Sequence, residues 1–542
     1  MSFEFAKFIH RETEGPKVSI LLLSLTSGLS RGLLLAIINA AAAKSLTGDN
    51  ILLYITGFIF FLVLYISSNL YVEVGATKII EKARKNITLR LCKKLLKIEL
   101  HFIESTGQGE LFERLKLDVK TVCDIATTVL KASQASILLF FCLAYIAWLS
   151  PIAMFITIVT IIIGVSVYLL QDKKVTDHLR KARASAVNIT DRINDLLKGF
   201  KELKINRKKS GDLTNHLEEI SGDYKNQNIK VAFLQSTTYL TTQALIFILI
   251  AVVIFIIPQF VSLSSTVIFQ FFASILFLIG PLEILVSSMQ DITKANVALE
   301  NINKLEKNLD ESIKLLKSDR DKLETFLFNN IEFVDICFQY KQTHTDDTFK
   351  IGPVNMRINK GEILFIVGGN GTGKTTLLKI LTGLYIPTSG TIKINDQPLL
   401  MENYQSYREM FTAILADFHI FKQLYGLENL DNQKLLDLLV SLYIDSKTHI
   451  ENNQFTSINL STGQRKRLAY AVSYLENKQI FVFDEFGADQ DPVFKKYFYF
   501  TLLPKLKQEG KTVIIATHDE NYFSACDRII KMDYGMIVDY KN

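Results

Sequence analysis

The sequence predicts a polytopic α-helical membrane domain followed by a separate α/β domain. Three observations predict it. Long apolar stretches are confined to residues 18–289, strand-like and glycine-rich segments begin only near residue 325, and a charged helical stretch from Asn303 to Lys322 lies between.

At 542 residues the chain has room for two or more domains, on the usual scale of about 100–200 residues each. Hydrophobic residues make up 49% and charged residues 21%, which suits neither a wholly water-soluble chain nor a bare membrane bundle. The expected division is a transmembrane domain over 1–302, a linker over 303–324 and the α/β domain over 325–542. A net charge of +6 is small for this length, so no nucleic-acid partner is implied. Cys92, Cys123, Cys142, Cys337 and Cys526 are scattered, with no CxxC spacing. They read as reduced and packed, with neither a disulfide framework nor a metal site.

The membrane spans are expected at Val18–Ala43, Ile51–Val74, Ala126–Trp148, Ile152–Leu170, Thr238–Ile257 and Thr266–Met289. Each is near the roughly 20 residues that cross about 30 Å of hydrocarbon. The connections Lys44–Asn50, Ser150-Pro151 and Pro258–Ser265 are short and carry a single lysine. The other two are long and basic, including Lys78, Lys82, Arg84, Lys85 and Arg90 in one and Lys173, Lys174, Arg180, Lys181 and Arg192 in the other. Basic connections stay in the cytoplasm, so both termini are expected there. Apolar periodicity at Ile87, Leu91, Leu95 and Ile98 predicts that the spans continue as helices beyond the bilayer. A basic amphipathic run can also bind nucleic acid or anionic lipid; here a solvated helix face obeying the topology rule accounts for it. Lys17 before an apolar run and the alanines at 40–43 imitate a signal peptide. The run is too long for a signal core, so an uncleaved first span is expected.

After the linker, Ile331–Tyr340, Glu362–Val367, Ile480–Phe483 and Thr512–Ala516 read as strands, the last three followed by loops and helices as in a mainly parallel sheet. Directly after the second of them, Gly368-Gly369-Asn370-Gly371-Thr372-Gly373-Lys374-Thr375 fits GxxxxGK[ST], with Thr376 next. Glycines there let backbone N–H groups turn toward a phosphate chain at a helix N-terminus. Lys374 is expected to reach the β- and γ-phosphates, and the Thr375 hydroxyl to ligate Mg²⁺. Downstream, the apolar Ile480–Phe483 empties into Asp484-Glu485. Asp484 suits the Mg²⁺ shell and Glu485 suits polarising an attacking water.

Between these lies Leu460-Ser461-Thr462-Gly463-Gln464, followed by Arg465-Lys466-Arg467. This resembles the signature of the ABC transporter family. The resemblance implies a type IV exporter-like half-transporter, with ATP and Mg²⁺ as cofactors. Tyr340 then matches the adenine-stacking aromatic, Asp491 the D-loop aspartate and His518 the switch histidine. Ser461, Gly463 and Gln464 would close over the ATP of a second copy, so the resemblance implies a homodimer with two sites. ATP would close the paired ATPase domains, long cytoplasmic helices would transmit that closure, and hydrolysis would reset the machine. Leu460–Arg467, Asp484–Pro492 and Gly199–Lys204 resemble the cyclic-peptide and siderophore-precursor branch, of the pyoverdine and syringomycin type. That branch implies an exporter of a peptide-like molecule in a bacterial inner membrane, in contact with lipid. A multidrug or lipid exporter and a non-transporting regulatory ATPase are the alternatives.

One departure stands out. Ala416 falls where the family has a Mg²⁺-contacting glutamine, so Asp417 or water is expected to substitute. Thr462 replaces the first glycine of the usual signature pair. In the membrane part, Arg31 and Glu283 fall within spans, where a central charge costs about 2.5–3.5 kcal/mol. They are expected to meet a wet cavity or each other, as substrate contacts, as a structural pair, or in a span shifted so that one charge reaches the headgroups. Phe269, Phe271, Phe272 and Phe277 read as lipid-facing packing rather than peptide contacts. Ser105–Leu111 resembles the family's first intracellular turn, which docks on the ATPase domain.

Overall fold

The computed structural model describes residues 17–45, 52–256, 265–315, 326, 328–340, 349–427 and 432–541. The chain divides into two compact units, one of Met1–Lys97 with Thr106–Asp310 and one of Ile98–Ser105 with Glu311–Asn542.

The first unit is helical: α1 (Lys17–Ser45), α2 (Leu52–Leu95), most of α3 (Leu100–Thr106) excluded, then α4 (Gln108–Glu113), α5 (Val119–Leu149), α6 (Pro151–Lys198), α7 (Phe200–Ile205), α8 (Arg207–Ala251) and α9 (Ser265–Leu315). Five helices among the described residues are long and apolar enough to cross a membrane. The expected fourth span begins the 48-residue α6, whose apolar stretch, Pro151–Val167, is shorter. Ser150 caps α6, its hydroxyl accepting from the Ala153 N–H at 3.4 Å, and Pro151 starts the helix without losing a bond.

Gly28 and Gly32 lie four apart and bring α1 against α5, because a Cβ on Gly28 would stand 2.6 Å from Ile137. Leu35, Leu138, Cys142, Ile146, Ala153, Ile246 and Phe271 then join α1, α5, α6, α8 and α9 in one core. The basic segment after the second span is a helix as expected, and its charges are used. Arg84 pairs with Asp124 at 2.7 Å, Arg90 with Glu306 at 2.9 Å and Lys94 with Asp310 at 2.8 Å. Arg31 and Glu283 have different partners: the Arg31 guanidinium lies 6.0 Å from the Tyr65 ring centre, while Glu283 accepts from Gln243 and Tyr239. Phe269 is 56% exposed, whereas Phe271 is fully buried, so the expected lipid-facing role does not extend to Phe271.

The second unit holds two sheets. Strands β1 (Asn330–Gln339), β2 (Lys350–Asn359), β4 (Ser389–Ile394) and β5 (Gln397–Pro398) form an antiparallel sheet in the order β2-β1-β4-β5. The main sheet runs β12-β11-β3-β10-β9-β6, from β3 (Ile363–Val367), β6 (Phe411–Ile414), β9 (Ile480–Asp484), β10 (Thr512–Ala516), β11 (Arg528–Asp533) and β12 (Met536–Lys541). All its pairings are parallel except β11 with β12. A parallel sheet buried on both faces calls for continuous apolar runs, and β3, β9 and β10 are buried at every position. Alternation splits β3 between two cores. Leu364 and Ile366 pack with the antiparallel sheet and helix α10 (Lys374–Leu381), and Ile363, Phe365 and Val367 pack on the other side.

Candidate nucleotide site

Three adjacent strands deliver the chemistry. The phosphate loop leaves the C-terminal end of β3, His518 follows β10, and Asp484-Glu485 ends β9. Crevices at such strand ends are where open parallel sheets bind ligands. Gly373, at φ +100°, turns the loop into α10, where a side chain would also meet Ile351 at 3.0 Å. The α10 N-terminus thereby faces the loop with its unpaired N–H groups.

Thr375 Oγ1 donates to Asp484 Oδ2 at 2.7 Å. Asp484 is 1% exposed, and its other oxygen, Oδ1, is buried without a hydrogen bond among the described residues. Burial pushes this carboxyl above the usual aspartate range, against the pull of the Thr375 hydroxyl, and neighbouring Glu485 adds to the rise. A buried, half-satisfied carboxylate beside a threonine hydroxyl is a donor set that suits a hard divalent cation. Lys374 Nζ donates to the Gly368 and Gly369 carbonyls at 2.8 and 2.9 Å and lies 3.9 Å from Glu485 Oε1. His518 Nδ1 is 3.5 Å from the same Glu485 oxygen. Glu485 takes a left-handed backbone, φ 48° and ψ 40°, a conformation that costs a non-glycine residue about 1–3 kcal/mol and clusters at working sites.

A cavity of about 470 Å³ opens here. Asn370, Gly371, Gly373, Lys374, Thr375, Thr376 and Glu485 line it together with the rings of Tyr340 and Phe349. Tyr340 and Thr376 share a 3.0 Å hydrogen bond. Ala416 also lines the cavity. Asp417, expected to compensate for it, is 70% exposed and lies 3.9 Å from Lys379. Asp417 is absent from the residues that line the cavity with Thr375, and Lys379 makes its shorter bond, 2.9 Å, to Glu104.

Ser461, Gly463, Gln464 and Asp491 do not line this cavity. They form a second constellation around helix α13, the third helix after α10 counting Tyr404–Arg408 (α11) and Asn432–Ser441 (α12), which spans Thr462–Glu476. Ser461 and Gln464 cap it reciprocally, as Ser-x-x-Gln allows. Gly463 is required by contact: a Cβ there would stand 2.5 Å from the Asp489 carbonyl. Gln490 donates to the Gly463 carbonyl at 2.9 Å, and Arg467 reaches both Gln490 and Asp491. Asp491 caps the next helix through the Phe494 N–H, which with Arg467 holds its carboxyl below the usual range.

Sequence reading missed two groups. Lys466, 4% exposed, donates to the Glu485 carbonyl at 2.7 Å and pairs with Asp489 at 2.6 Å, so the signature helix grips the acidic loop. Only the basic triplet at 465–467 hinted at it. The second group is Ile98–Ser105, which belongs to this unit. Arg408 holds both Glu99 oxygens at 2.8 and 2.7 Å, Lys379 donates to Glu104 at 2.9 Å, and Tyr385 also donates to Glu104. Burial pulls the Lys379 ammonium down in pKa, but Glu104 outweighs it and the net shift is upward. The His101 ring centre lies 6.3 Å from that of Tyr340. Glu99, His101 and Glu104 thus tie 98–105 into this unit, while 106–111 belongs to the first unit.

A phosphate loop and acidic strand end on one unit, after a unit of membrane-length apolar helices, mark a membrane protein with a nucleotide site of the ATPase kind. Residues 18–282 match the model of the ABC transporter transmembrane region and residues 351–488 that of the ABC transporter ATPase, and the chain belongs to the ABC exporter half-transporters. It is a multi-pass membrane protein that binds and hydrolyses ATP to drive transport. The ATP-binding protein SyrD of Pseudomonas syringae pv. syringae is 29% identical over 96% of this chain and 93% of its own length. An ATP-dependent lipid A-core flippase of Idiomarina loihiensis is 22% identical over 91% of this chain and 86% of its own. A probable multidrug resistance ABC transporter of Bacillus subtilis, YheI, is 22% identical over 92% and 86%. Among solved structures, a bacterial Atm1-family ABC exporter with ATP bound superposes with a TM-score of 0.80 at 17% identity, over 98% of this chain and 95% of that one.

Proposed function

We propose that two copies of the chain pair to export a peptide-like molecule across a bacterial cytoplasmic membrane, with both termini in the cytoplasm. The observation that carries the pairing is that Ser461 and Gly463 stand outside the cavity that Lys374, Thr375 and Glu485 line. One chain therefore supplies half of an ATP enclosure, and a two-fold partner supplies the other half. In this reading Tyr340 stacks on the adenine, the loop amides and Lys374 hold the phosphates, and Thr375 with Asp484 holds Mg²⁺, which supplies charge neutralisation when bound. Glu485 orients the attacking water, and His518, beside it, steadies the γ-phosphate. The ties from Lys466 and Arg467 make the signature helix and the acidic loop move as one body. The branch motifs at 460–467, 484–492 and 199–204, together with the full-length likeness at 29%, support a peptide-like cargo over the lipid and drug exporters, whose representatives share 22%.

Mixing tests the pairing. Lys374→Ala ruins the phosphate loop and Ser461→Ala the signature, so each variant alone should be inactive. A mixed pair has one intact composite site, so equal mixing should restore about a quarter of wild-type turnover. No recovery on mixing and re-pairing would sink the composite site. Accumulation of a labelled amphipathic peptide in inside-out vesicles, dependent on ATP, tests the cargo.

A further inference from the structure

The transmembrane helices α8 and α9 line an open cavity of about 520 Å³, within the size range of small-ligand sites. Tyr239, Gln243, Glu283 and Ser287 supply its polar wall, Ile246 and Ile284 its apolar one. Glu283 Oε1 accepts from Gln243 Nε2 at 2.7 Å and from the Tyr239 hydroxyl at 3.2 Å, and Gln243 also donates to that hydroxyl at 2.9 Å. Both donors are neutral. Among the described residues no lysine, arginine or histidine pairs with Glu283, and its Oε2 has no hydrogen bond.

A tie between α8 and α9 needs only a neutral acceptor, which a glutamine would supply at the same place. A carboxyl group within a transmembrane helix is rare and commonly marks a water-filled path or a charged ligand. Glu283 lies about 27 Å along α9 from Ser265 at ~1.5 Å per residue, toward the cytoplasmic end of the span in the orientation proposed above. That is the side from which an exporter loads.

We propose that this cavity is a cargo site in which Glu283, oriented by Gln243 and Tyr239, binds a protonated amine or guanidinium of an amphipathic molecule while Ile246 and Ile284 hold its apolar part. The proposal rests on the export reading and narrows its cargo to cationic peptides.

The test uses the full chain in lipid nanodiscs and two matched pairs of probes. One is a fluorescent amphipathic hexapeptide with a single lysine and its Nε-acetylated twin; the other is dodecylamine and dodecanol. Wild type should bind the lysine peptide about tenfold more tightly than its twin, Glu283→Asp should keep that preference, and Glu283→Gln should reduce it to within about twofold. Equal binding of the peptide twins by wild type overturns the site and leaves peptide export standing. A preference that survives in Glu283→Gln also overturns it. Preference for dodecylamine with no binding of either peptide supports the site and overturns the peptide cargo. Should Glu283→Gln fail to fold, the wild-type and Glu283→Asp titrations decide.

Discussion

The two units expose aromatic side chains to different degrees. In the ATPase unit Phe365, Phe481 and Phe483 are at most 1% exposed. In the helical unit Phe140 and Phe155 are 66% exposed and Trp148 80%. Water drives the first set inward, because apolar surface removed from water gains free energy. Hydrocarbon removes that drive, so lipid-facing phenylalanines are at home and helices meet instead through small residues such as Gly28 and Gly32. Charge differs as well. In the ATPase unit Lys374, Asp484, Glu485 and His518 crowd one crevice; in the helical unit ion pairs such as Arg84–Asp124 and Arg90–Glu306 form beyond the expected spans, while Glu283, within one, is held by neutral donors.

Four substitutions test this contrast between the units. The largest effect belongs to Glu485→Gln: ATP should still bind while hydrolysis falls by about 10²–10⁴-fold, measured as phosphate release, and near-normal turnover would remove Glu485 from catalysis. Next comes the core of the ATPase unit. Phe483→Ala should cost about 3–5 kcal/mol of stability, and a denaturant midpoint that hardly moves would mean that this core is not what holds the unit together. Arg408→Ala severs the Glu99 pair and should cost about 1.5–3 kcal/mol, the usual worth of a hydrogen bond to a charged group. Proteolysis of the segment around residues 98–105 should rise in step; unchanged protection would show that the contact is incidental. The smallest effect sharpens the contrast directly. Phe140→Ala, the same truncation as at Phe483 but on an exposed face, should stay within about 0.5 kcal/mol, and a large loss there would mean that this face is covered by protein.

Most of the nucleotide site was legible because it is built from contiguous loops. A phosphate loop needs its glycines, lysine and threonine side by side, and a strand ending in Asp-Glu delivers both carboxylates at once. The neighbours of Ala416 were not legible in the same way. Asp417 is exposed and lies 3.9 Å from Lys379, 38 positions earlier in the chain, a neighbour that no local pattern names. Likewise nothing local to Lys466 reveals that its ammonium ends on the Glu485 carbonyl. The contacts of Glu99, His101 and Glu104 join positions separated by more than 230 residues, a distance no periodicity spans.

By itself the sequence determined what short-range physics governs: which stretches are apolar for the length of a bilayer, where strands yield to glycine turns, and which loop cradles phosphate. Only the tertiary structure decided which charges meet. It placed Ser461 outside the cavity that Lys374 lines, set Glu283 against Gln243 and Tyr239 rather than Arg31, and attached residues 98–105 to the ATPase unit. The physical reason is range. Backbone propensity and hydrophobic period act over a few residues, whereas a hydrogen bond or ion pair is fixed only when packing brings distant segments within about 3–4 Å.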